Sequence, residues 1–403
     1  MKLRAWLIAL GITACASTEA LVEPEPSPAQ PIPPDDAGVS VDAASDGGSV
    51  EPNADAGVCG DCQYFPETCT ADTLCSNGPF DSSTKGGSFD PRTRVNVVHG
   101  RSADDVWVAG ALGALAHFDG TSWSRSDPGS RETITGVWLR ESAELALGVP
   151  VPWSDLRVYA RGAAAPEGSE LSAGGWTVLQ KSSPIFNTFE IRSAWAAPGA
   201  SSLWIAIEEW AGGNTMNSGL LRLRAWDSTT FELGAGPGSR CQPACNRMNS
   251  VHGVTGDDVW AVGAAGTTIR ITNAESDTPT TTLYDSRTWN SLNGVWAASD
   301  HEAWSVGAKG TVRRYTGKPR EWDIVPDVPT GVDLNAVWGS SSADVWVVGD
   351  AGVVLHYDGT SWSRVKIAGL GAQRPKLTTV WGAGNGHVWV GGQGVLLSLG
   401  GKP

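Results

Sequence analysis

Methionine, tyrosine and histidine are scarce in this chain, with three, five and six residues among 403. This scarcity leaves few candidates for catalytic acids, bases and nucleophiles. The sequence also lacks the Gly-x-Ser-x-Gly, His-Glu-x-x-His and Gly-Lys-Ser/Thr patterns of hydrolases, zinc proteases and phosphate-binding loops. We therefore expect a protein that is not an enzyme and that needs neither a cofactor nor a metal.

Positive charge is also in short supply, because 29 Lys and Arg face 43 Asp and Glu and give a net charge of −14. An acidic balance argues against nonspecific binding of nucleic acid or anionic lipid. Helical heptads are missing, whereas 50 glycines and 20 tryptophans are present. The composition argues against a helical bundle, and the length permits two or three domains or one large β domain.

The most apolar segment lies at the start of the chain and is short. After the basic start Met1–Arg4, the stretch Ala5–Ala14 has ten residues, whereas a helix that crosses a bilayer needs about 20. This pattern predicts a signal peptide over residues 1–14. The ending Ile12-Thr13-Ala14-Cys15 resembles a bacterial lipobox, which implies cleavage and lipid attachment at Cys15. An ordinary signal peptide with a spare cysteine is the alternative.

The residue after Cys15 is Ala16 rather than Asp, and the lipobox resemblance then implies the outer membrane. Residues 16–57 hold nine acidic residues, seven prolines and no Lys or Arg. Such a composition cannot form a core, so we predict a lipid-anchored disordered linker over residues 15–57. A coil of this length reaches on the order of 35–40 Å.

Six further cysteines are an even number, which in an exported chain predicts three disulfides. They are Cys59, Cys62, Cys69, Cys75, Cys241 and Cys245. Cys241 and Cys245 would close a small loop, and the pairing of the other four stays open. Zinc bound by four thiolates is the competing interpretation, although the Cys69-x₅-Cys75 spacing is loose for such a site.

From about residue 92 the chain repeats itself. The clearest copy contains Val337-Trp338-Gly339, Asp344-Val345-Trp346-Val347-Val348-Gly349 and Tyr357-Asp358-Gly359-Thr360-Ser361-Trp362. Each copy has apolar runs of four to six residues between Gly, Asp and Ser turns, which is typical of short antiparallel strands. The centre of the second strand recurs at Trp107, Leu145, Trp204, Trp260, Trp304, Trp346 and Trp389. Seven copies predict a closed, seven-bladed, all-β propeller over residues 92–403.

The first strand of each copy carries small side chains, which suit the crowded axis, so we place it innermost. Fourth-strand aromatics are predicted at Trp123, Trp176, Trp226, Trp289, Trp322 and Trp362. The last copy ends without a fourth strand, and an open edge invites aggregation. Residues 58–91 are therefore predicted to be a Cys-rich segment that supplies the closing strand, formed by Pro79–Ser82 with Phe80 in place of Trp.

The hairpin Tyr357–Trp362 resembles the Asp-box of BNR-type propellers, found in sialidases and in the photosystem II assembly factor family. It is one residue shorter between Asp and Trp. The combined repeat resembles the repeat lipoproteins of some Gram-negative soil bacteria over about 310 residues. The resemblance implies the propeller fold and says little about chemistry, since the sialidase Phe/Tyr-Arg-Ile-Pro motif is absent.

Candidate ligand-binding residues are those that interrupt the repeat. His99 and His252 replace Trp in the first strand and could face a channel and titrate, although packed histidines are the simpler interpretation. Arg192 is the one charged residue in a ring of Asn and Thr and could anchor a carboxylate or phosphate, or pair with Glu190 or another acid.

The insertions 149–175 and 208–218 also break the repeat, and such loops often bind ligands. Trp153, Arg157 and Trp210 are their most interaction-prone residues. The Asp-Asp pairs before Val-Trp could bind a cation, but we favour a role in the turns.

The sequence thus predicts an outer-membrane lipoprotein attached to the membrane through Cys15. Its propeller would act as a non-catalytic binding or scaffold module for an envelope protein or a glycan, and not for nucleic acid. The alternative is a glycan-active exported enzyme with a divergent axial site. Two carboxylates, or an Arg cluster with Tyr, converging on the axis would distinguish the enzyme.

Overall fold

Short runs of β-branched and aromatic residues between Gly- and Asp-containing turns form the strands of this protein. The computed structural model describes residues 60–149, 156–163, 165, 167–181, 189–209, 219–225, 229–236 and 247–402. Within these residues the strands form seven separate sheets. The protein is an all-β, seven-bladed propeller, as predicted.

Six blades follow the chain directly. Blade 1 contains β2 (Val95–Ser102), β3 (Asp105–Gly110), β4 (Leu115–Phe118) and β5 (Trp123–Arg125). Blade 2 contains β6 (Thr133–Leu139), β7 (Glu144–Val149), β8 (Arg157–Arg161) and β9 (Trp176–Val178). Blade 3 contains β11 (Phe189–Trp195), β12 (Ser202–Glu209), β13 (Leu220–Ala225) and β14 (Thr230–Ala235), with β10 (Gln180–Lys181) added in parallel at its outer edge.

Blade 4 contains β15 (Met248–Thr255), β16 (Asp258–Gly263), β17 (Thr268–Thr272) and β18 (Thr280–Tyr284). Blade 5 contains β19 (Leu292–Ser299), β20 (Glu302–Gly307), β21 (Thr311–Tyr315) and β22 (Asp323–Ile324). Blade 6 contains β23 (Leu334–Ser341), β24 (Asp344–Gly349), β25 (Val354–Tyr357) and β26 (Trp362–Arg364). Blade 7 contains β27 (Leu377–Gly384), β28 (His387–Gly392), β29 (Val395–Leu399) and, from the other end of the chain, β1 (Leu74–Ser76).

Helical structure in the described residues includes only single 3₁₀ turns. They are Cys62–Tyr64, Ala111–Gly113, Ala264–Gly266, Ala308–Gly310 and Asp350–Gly352. The last four join the second and third strands of their blades, with the middle residue in the left-handed region at φ 52–58°. Among the described residues no helix has the length and apolarity to cross a membrane.

The core lies between the blades. The second strands are largely buried, and in blades 1, 4 and 5 their Trp packs against a Trp of the following blade. Trp107 meets Trp176 edge-on at 5.7 Å, and Trp260 meets Trp322 edge-on at 5.0 Å. Trp107, Trp260 and Trp322 are all at most 1% exposed. Because each ring covers the neighbouring sheet, blades that could not bury both faces alone do so together.

The Asp-Gly hairpins follow turn chemistry. The Asp119 carboxylate accepts the backbone N–H groups of Thr121 and Ser122 at 3.0 and 2.8 Å. Asp358 does the same with Thr360 and Ser361, both at 2.8 Å. The Asp side chain therefore stabilises the turn before the fourth strand.

Three of the six aromatics predicted for fourth strands do not lie in a described fourth strand, and one of them, Trp322, directly precedes β22. Trp289 lies after β18, outside any strand, and is 90% exposed. Trp226 falls in 226–228, outside the described residues. The outer strand packs on one side only, so its sequence is less constrained than that of the inner strands.

The ring is closed by an N-terminal strand, but the strand is Leu74–Ser76 and not Pro79–Ser82. It pairs antiparallel with β29, with Leu74 opposite Leu399 and Ser76 opposite Leu397. Phe80 is not part of a strand; its ring packs edge-on against Phe89 at 5.6 Å and joins the core between blades 7 and 1. The prediction of Pro79–Ser82 relied on the period of the repeat and was wrong, because the closing strand lies outside the repeat.

The residue after the closing strand, Asn77, binds strand β29 of blade 7 and the residues that follow it. The Asn77 amide donates to Ser398 Oγ at 2.7 Å and to the Lys402 carbonyl at 2.6 Å. Cys75 within the strand forms a disulfide with Cys69, and Cys62 is also disulfide-bonded. The disulfide interpretation thus holds for these three cysteines and excludes a four-thiolate zinc site. Cys59, Cys241 and Cys245 lie outside the described residues.

Candidate functional site

The inner strands of all seven blades line an axial channel of about 600 Å³. A ring of Asn, Thr and Arg side chains lies towards the start of these strands. Its members are Asn96, Thr135, Arg192, Asn249, Asn293, Asn335 and Thr378. A second ring of His and Trp lies three residues further along each strand. The first strands are therefore innermost, as predicted, and the channel has a polar and an aromatic part.

The polar ring joins neighbouring blades. The Asn96 amide donates to the Ile134 carbonyl of blade 2 at 2.9 Å, and Asn335 donates to the Leu377 carbonyl of blade 7 at 2.8 Å. Asn249, Asn293 and Thr378 make the equivalent bond to the next blade. Thr135 instead donates to Leu147 of its own blade at 3.4 Å. Five of the seven residues of the polar ring thus connect neighbouring blades.

Arg192 breaks this pattern, because it forms ion pairs rather than a bond to the next blade. It contacts Glu208 and lies 3.3 Å from Glu190, and its side chain is 37% exposed. Glu208 in turn pairs with Arg247 at 2.6 Å, at the start of blade 4. The two arginines and two glutamates neutralise one another, so Arg192 is not an isolated anion anchor. It remains a polar group at the channel wall.

In the aromatic ring, four of the five Trp side chains fit over a glycine of the next blade, whereas Ala196 stands at this position after Trp138. A Cβ added at Gly100, Gly253, Gly339 or Gly382 would lie 2.5–2.9 Å from the indole of the preceding blade. Leu139 and Ala297 stand at this position in the blades that follow His99 and His252. The smaller imidazole leaves room for a larger neighbour, and glycine accepts the indole because it has no side chain.

Both ring histidines are packed and held neutral. Burial, with a smaller contribution from Arg101, lowers the pKa of His99 from 6.5 to about 4. Burial, followed by the nearby His99, lowers the pKa of His252 to about 3. The Ala297 N–H donates to His252 Nδ1 at 3.2 Å, which requires the unprotonated nitrogen. Both histidines face the channel, but they do not titrate near neutral pH.

The remaining candidates are not brought together at the channel. Arg157 on β8 pairs with the buried Glu132 at 2.7 Å and lies outside the channel lining. Trp153 and Trp210 fall in 150–155 and 210–218, outside the described residues. Cys15, the predicted lipid-attachment site, is outside them as well. In the described residues no group of His, Cys, Asp and Glu could hold a metal ion.

Several blades contain a cluster of an acid, a His or Arg, and a Trp that sequence reasoning missed. In blade 1, Asp105 contacts His117 Nε2 at 2.8 Å, and the imidazole stacks on Trp107 at 4.4 Å. In blade 4, Asp258 bonds Arg270 at 2.7 Å, and that guanidinium lies 5.3 Å from the Trp260 ring. Blades 5 and 6 repeat the arrangement with Glu302, Arg314 and Trp304, and with Asp344, His356 and Trp346.

The signal for this cluster is an acid two residues before the Trp and a His or Arg ten residues after it. The second acid of each Asp-Asp pair therefore bonds a His or Arg within its own blade. Hydrogen bonds from Arg101 and His117 outweigh the opposing effect of burial and lower the pKa of Asp105.

No protein-family model matches the sequence, and no curated protein matches it. Solved β-propellers are similar in structure. YCF48 from Cyanidioschyzon merolae is 13% identical with a TM-score of 0.56, over 76% of this chain and 96% of that chain. A structure of YCF48 bound to D1 peptide is 14% identical with a TM-score of 0.56, over 81% and 97%.

An extracellular domain from B. thetaiotaomicron, assigned to the hybrid two-component system BT4673, is 13% identical. Its TM-score is 0.54, over 80% of this chain and 40% of that chain. At these identities the similarity establishes the fold.

Proposed function

We propose that this chain is an exported lipoprotein, anchored at the outer membrane through Cys15, whose propeller binds an envelope protein or glycan without catalysing a reaction. The observation that carries the binding role is the axial channel of about 600 Å³. Pockets of this size with aromatic walls and a few polar groups are typical ligand sites.

The channel lining favours recognition over catalysis. Its two histidines have pKa values of about 4 and 3, so they are weak proton acceptors at neutral pH. Among the described lining residues, Glu141 is the one carboxylate, and tyrosine is absent. Glycoside hydrolysis needs a pair of carboxylates at a defined separation, so the described lining gives no support to the glycan-active alternative.

The similar structures support a ligand of protein origin. YCF48, which shares this fold, has been solved with a D1 peptide bound, and the B. thetaiotaomicron neighbours are extracellular domains. A propeller is well suited to such binding, because a rigid ring holds the residues at its channel in fixed positions.

The test uses full-length, oxidised protein immobilised and presented in parallel with an envelope extract and a glycan array. Arg192→Ala removes the charged residue of the polar ring, while Glu208 keeps its partner Arg247. Arg92→Ala is the matched control, since Arg92 pairs locally with Asp90 and lies outside the channel lining.

A partner or glycan that is retained by wild type and the control, but lost with Arg192→Ala, is the expected result. Binding that is equal in all three proteins would place the ligand elsewhere and contradict the channel assignment. Turnover of a bound glycan would instead favour the enzyme.

A further inference from the structure

Trp289 is the most exposed large apolar side chain among the described residues, at 90% exposure. It lies in the loop that joins β18 of blade 4 to β19 of blade 5. A fully solvated indole is unusual in a chain whose other described tryptophans are mostly in the core. The channel does not include Trp289, so the proposed channel function does not account for it.

A buried arginine, Arg313, holds the backbone of the loop that contains Trp289. The Arg313 guanidinium donates to the Ser286 carbonyl at 2.8 Å and to the Arg287 carbonyl at 3.1 Å. Arg313 is only 9% exposed and, in the described part of the chain, forms no ion pair. Burial and the nearby Arg287 lower its pKa. The protein thus buries a cation whose hydrogen bonds serve mainly this loop.

Further hydrogen bonds hold the loop before and after Trp289. Ser286 Oγ donates to the Gly266 carbonyl at 2.6 Å, and the Asn290 amide donates to Thr311 Oγ1 at 2.8 Å. Gly266 has φ +72°, and a Cβ there would lie 1.9 Å from the Thr288 carbonyl. The loop is therefore closely packed on its blade, and Trp289 projects from a rigid base rather than from a flexible segment.

The surroundings of Trp289 are polar. Its chain neighbours are Thr288 and Asn290. Arg287, two residues before Trp289, forms a partly exposed ion pair with Glu321, with 3.2 Å between their side-chain atoms. A stable protein interface needs an apolar centre and about 800 Å² from each partner. A pyranose ring needs much less: one aromatic face for its C–H groups and polar side chains for its hydroxyls.

We propose that Trp289 is a saccharide-binding platform, with the indole stacking on a sugar ring and Arg287, Asn290 and Glu321 bonding its hydroxyl groups. This site is separate from the axial channel. It requires a pre-formed, exposed and rigid ring, and the buried Arg313 clamp supplies the rigidity. Pre-organisation matters here because a mobile side chain would lose conformational entropy on binding.

Saturation-transfer NMR with full-length protein tests the proposal, using chitotetraose, cellotetraose, maltotetraose and mannotetraose at millimolar concentration. We expect at least one of them to bind. Trp289→Ala should weaken that binding by about tenfold or more, and Trp289→Phe should retain most of it, since phenylalanine keeps an aromatic face.

Two controls distinguish this site from other surfaces. Leu112→Ala removes another exposed apolar side chain and should leave sugar binding unchanged, as should the channel variant Arg192→Ala. Absence of binding by all four tetrasaccharides would overturn the proposal, and so would equal binding by wild type and Trp289→Ala. Loss of sugar binding with Arg192→Ala alone would move the saccharide site to the channel.

Discussion

The disulfide Cys69–Cys75 should stabilise the closure of the propeller by a measurable amount. Cys75 lies within the closing strand, opposite Ser398. Gly401 near the C-terminus packs against both cysteines, since a Cβ there would lie 3.4 Å from Cys69 Sγ and 3.6 Å from Cys75 Cβ. The double substitution Cys69→Ala and Cys75→Ala removes this crosslink and leaves the backbone pairing of Leu74 with Leu399 in place.

The size of the effect follows from the length of the loop. A crosslink over the seven residues 69–75 removes about 8 cal/mol/K of unfolded-state entropy, or roughly 2.4 kcal/mol at 25 °C. Unfolding of about 340 residues has an entropy of roughly 0.7 kcal/mol/K near 60 °C. The double variant should therefore unfold about 3 °C below wild type.

The assay is thermal unfolding of oxidised full-length protein, followed by circular dichroism and by calorimetry. Oxidising conditions keep the disulfide of Cys62 intact, so that the difference reports one crosslink. Leu74→Ala is the comparison, because it removes a fully buried side chain from the same strand and should cost about 2–5 kcal/mol. An unchanged melting temperature in the double variant, with Leu74→Ala clearly destabilised, would show that pairing alone closes the ring.

Three other predictions concern the polar ring, the histidines and the anchor. Asn335→Ala should lower the free energy of unfolding by about 1–2 kcal/mol, because it leaves the Leu377 carbonyl unbonded. Thr135→Ala should lower it by less than about 0.5 kcal/mol. Urea titrations of both variants measure the difference. Burial lowers the folded-state pKa of His252 to about 3, below the ordinary value of 6.5. His252 therefore contributes stability that is present above pH 6.5 and lost as the pH falls towards 3. His252→Asn should accordingly flatten the decline of stability between pH 6.5 and 4, and an unchanged slope would contradict the pKa. Cys15→Ala should abolish incorporation of labelled palmitate and release the protein from the membrane fraction, whereas continued labelling would contradict attachment at Cys15.

The blades could be predicted from the sequence because their second strands repeat one chemistry. Trp107, Trp204 and Trp346 each lie in a second strand, as predicted. A Trp at this position must fill the space between two sheets, and that space is nearly the same at every junction. Leu145 meets the same requirement with a smaller side chain in blade 2, which is why a pattern based on burial found it.

The closing strand and the outer strands were predicted less well because their residues do not repeat one chemistry. Leu74–Ser76 reaches blade 7 from outside the repeat, so the spacing of Trp362 and Trp381 holds no information about it. The useful local signal was the apolar Leu74 next to Cys75. Trp289 shows that an aromatic at the expected spacing need not be in a fourth strand when the outer strand of its blade, β18, ends five residues earlier.

Pairing between strands was the information that the sequence reasoning did not use. Trp107 lies opposite His117, and Trp260 lies opposite Arg270. Once the register of the second and third strands is known, the Trp and the residue ten positions later are seen to lie opposite each other. The acid two residues before the Trp completes the cluster. Position along the strand alone had suggested a role in the turn.

The contacts of the repeated residues explain where recognition is expected in this protein. The Asn ring joins blades, and the second-strand Trp residues fill the gaps between blades. The acids that enter the second strands bond Arg or His, so these repeated groups already have structural partners. A ligand cannot use such groups without disturbing the ring. We therefore expect recognition at residues that depart from the repeat. In the described chain these include Trp289 on its rigid loop and Arg192, which lines the channel although it is paired with Glu208 and Glu190.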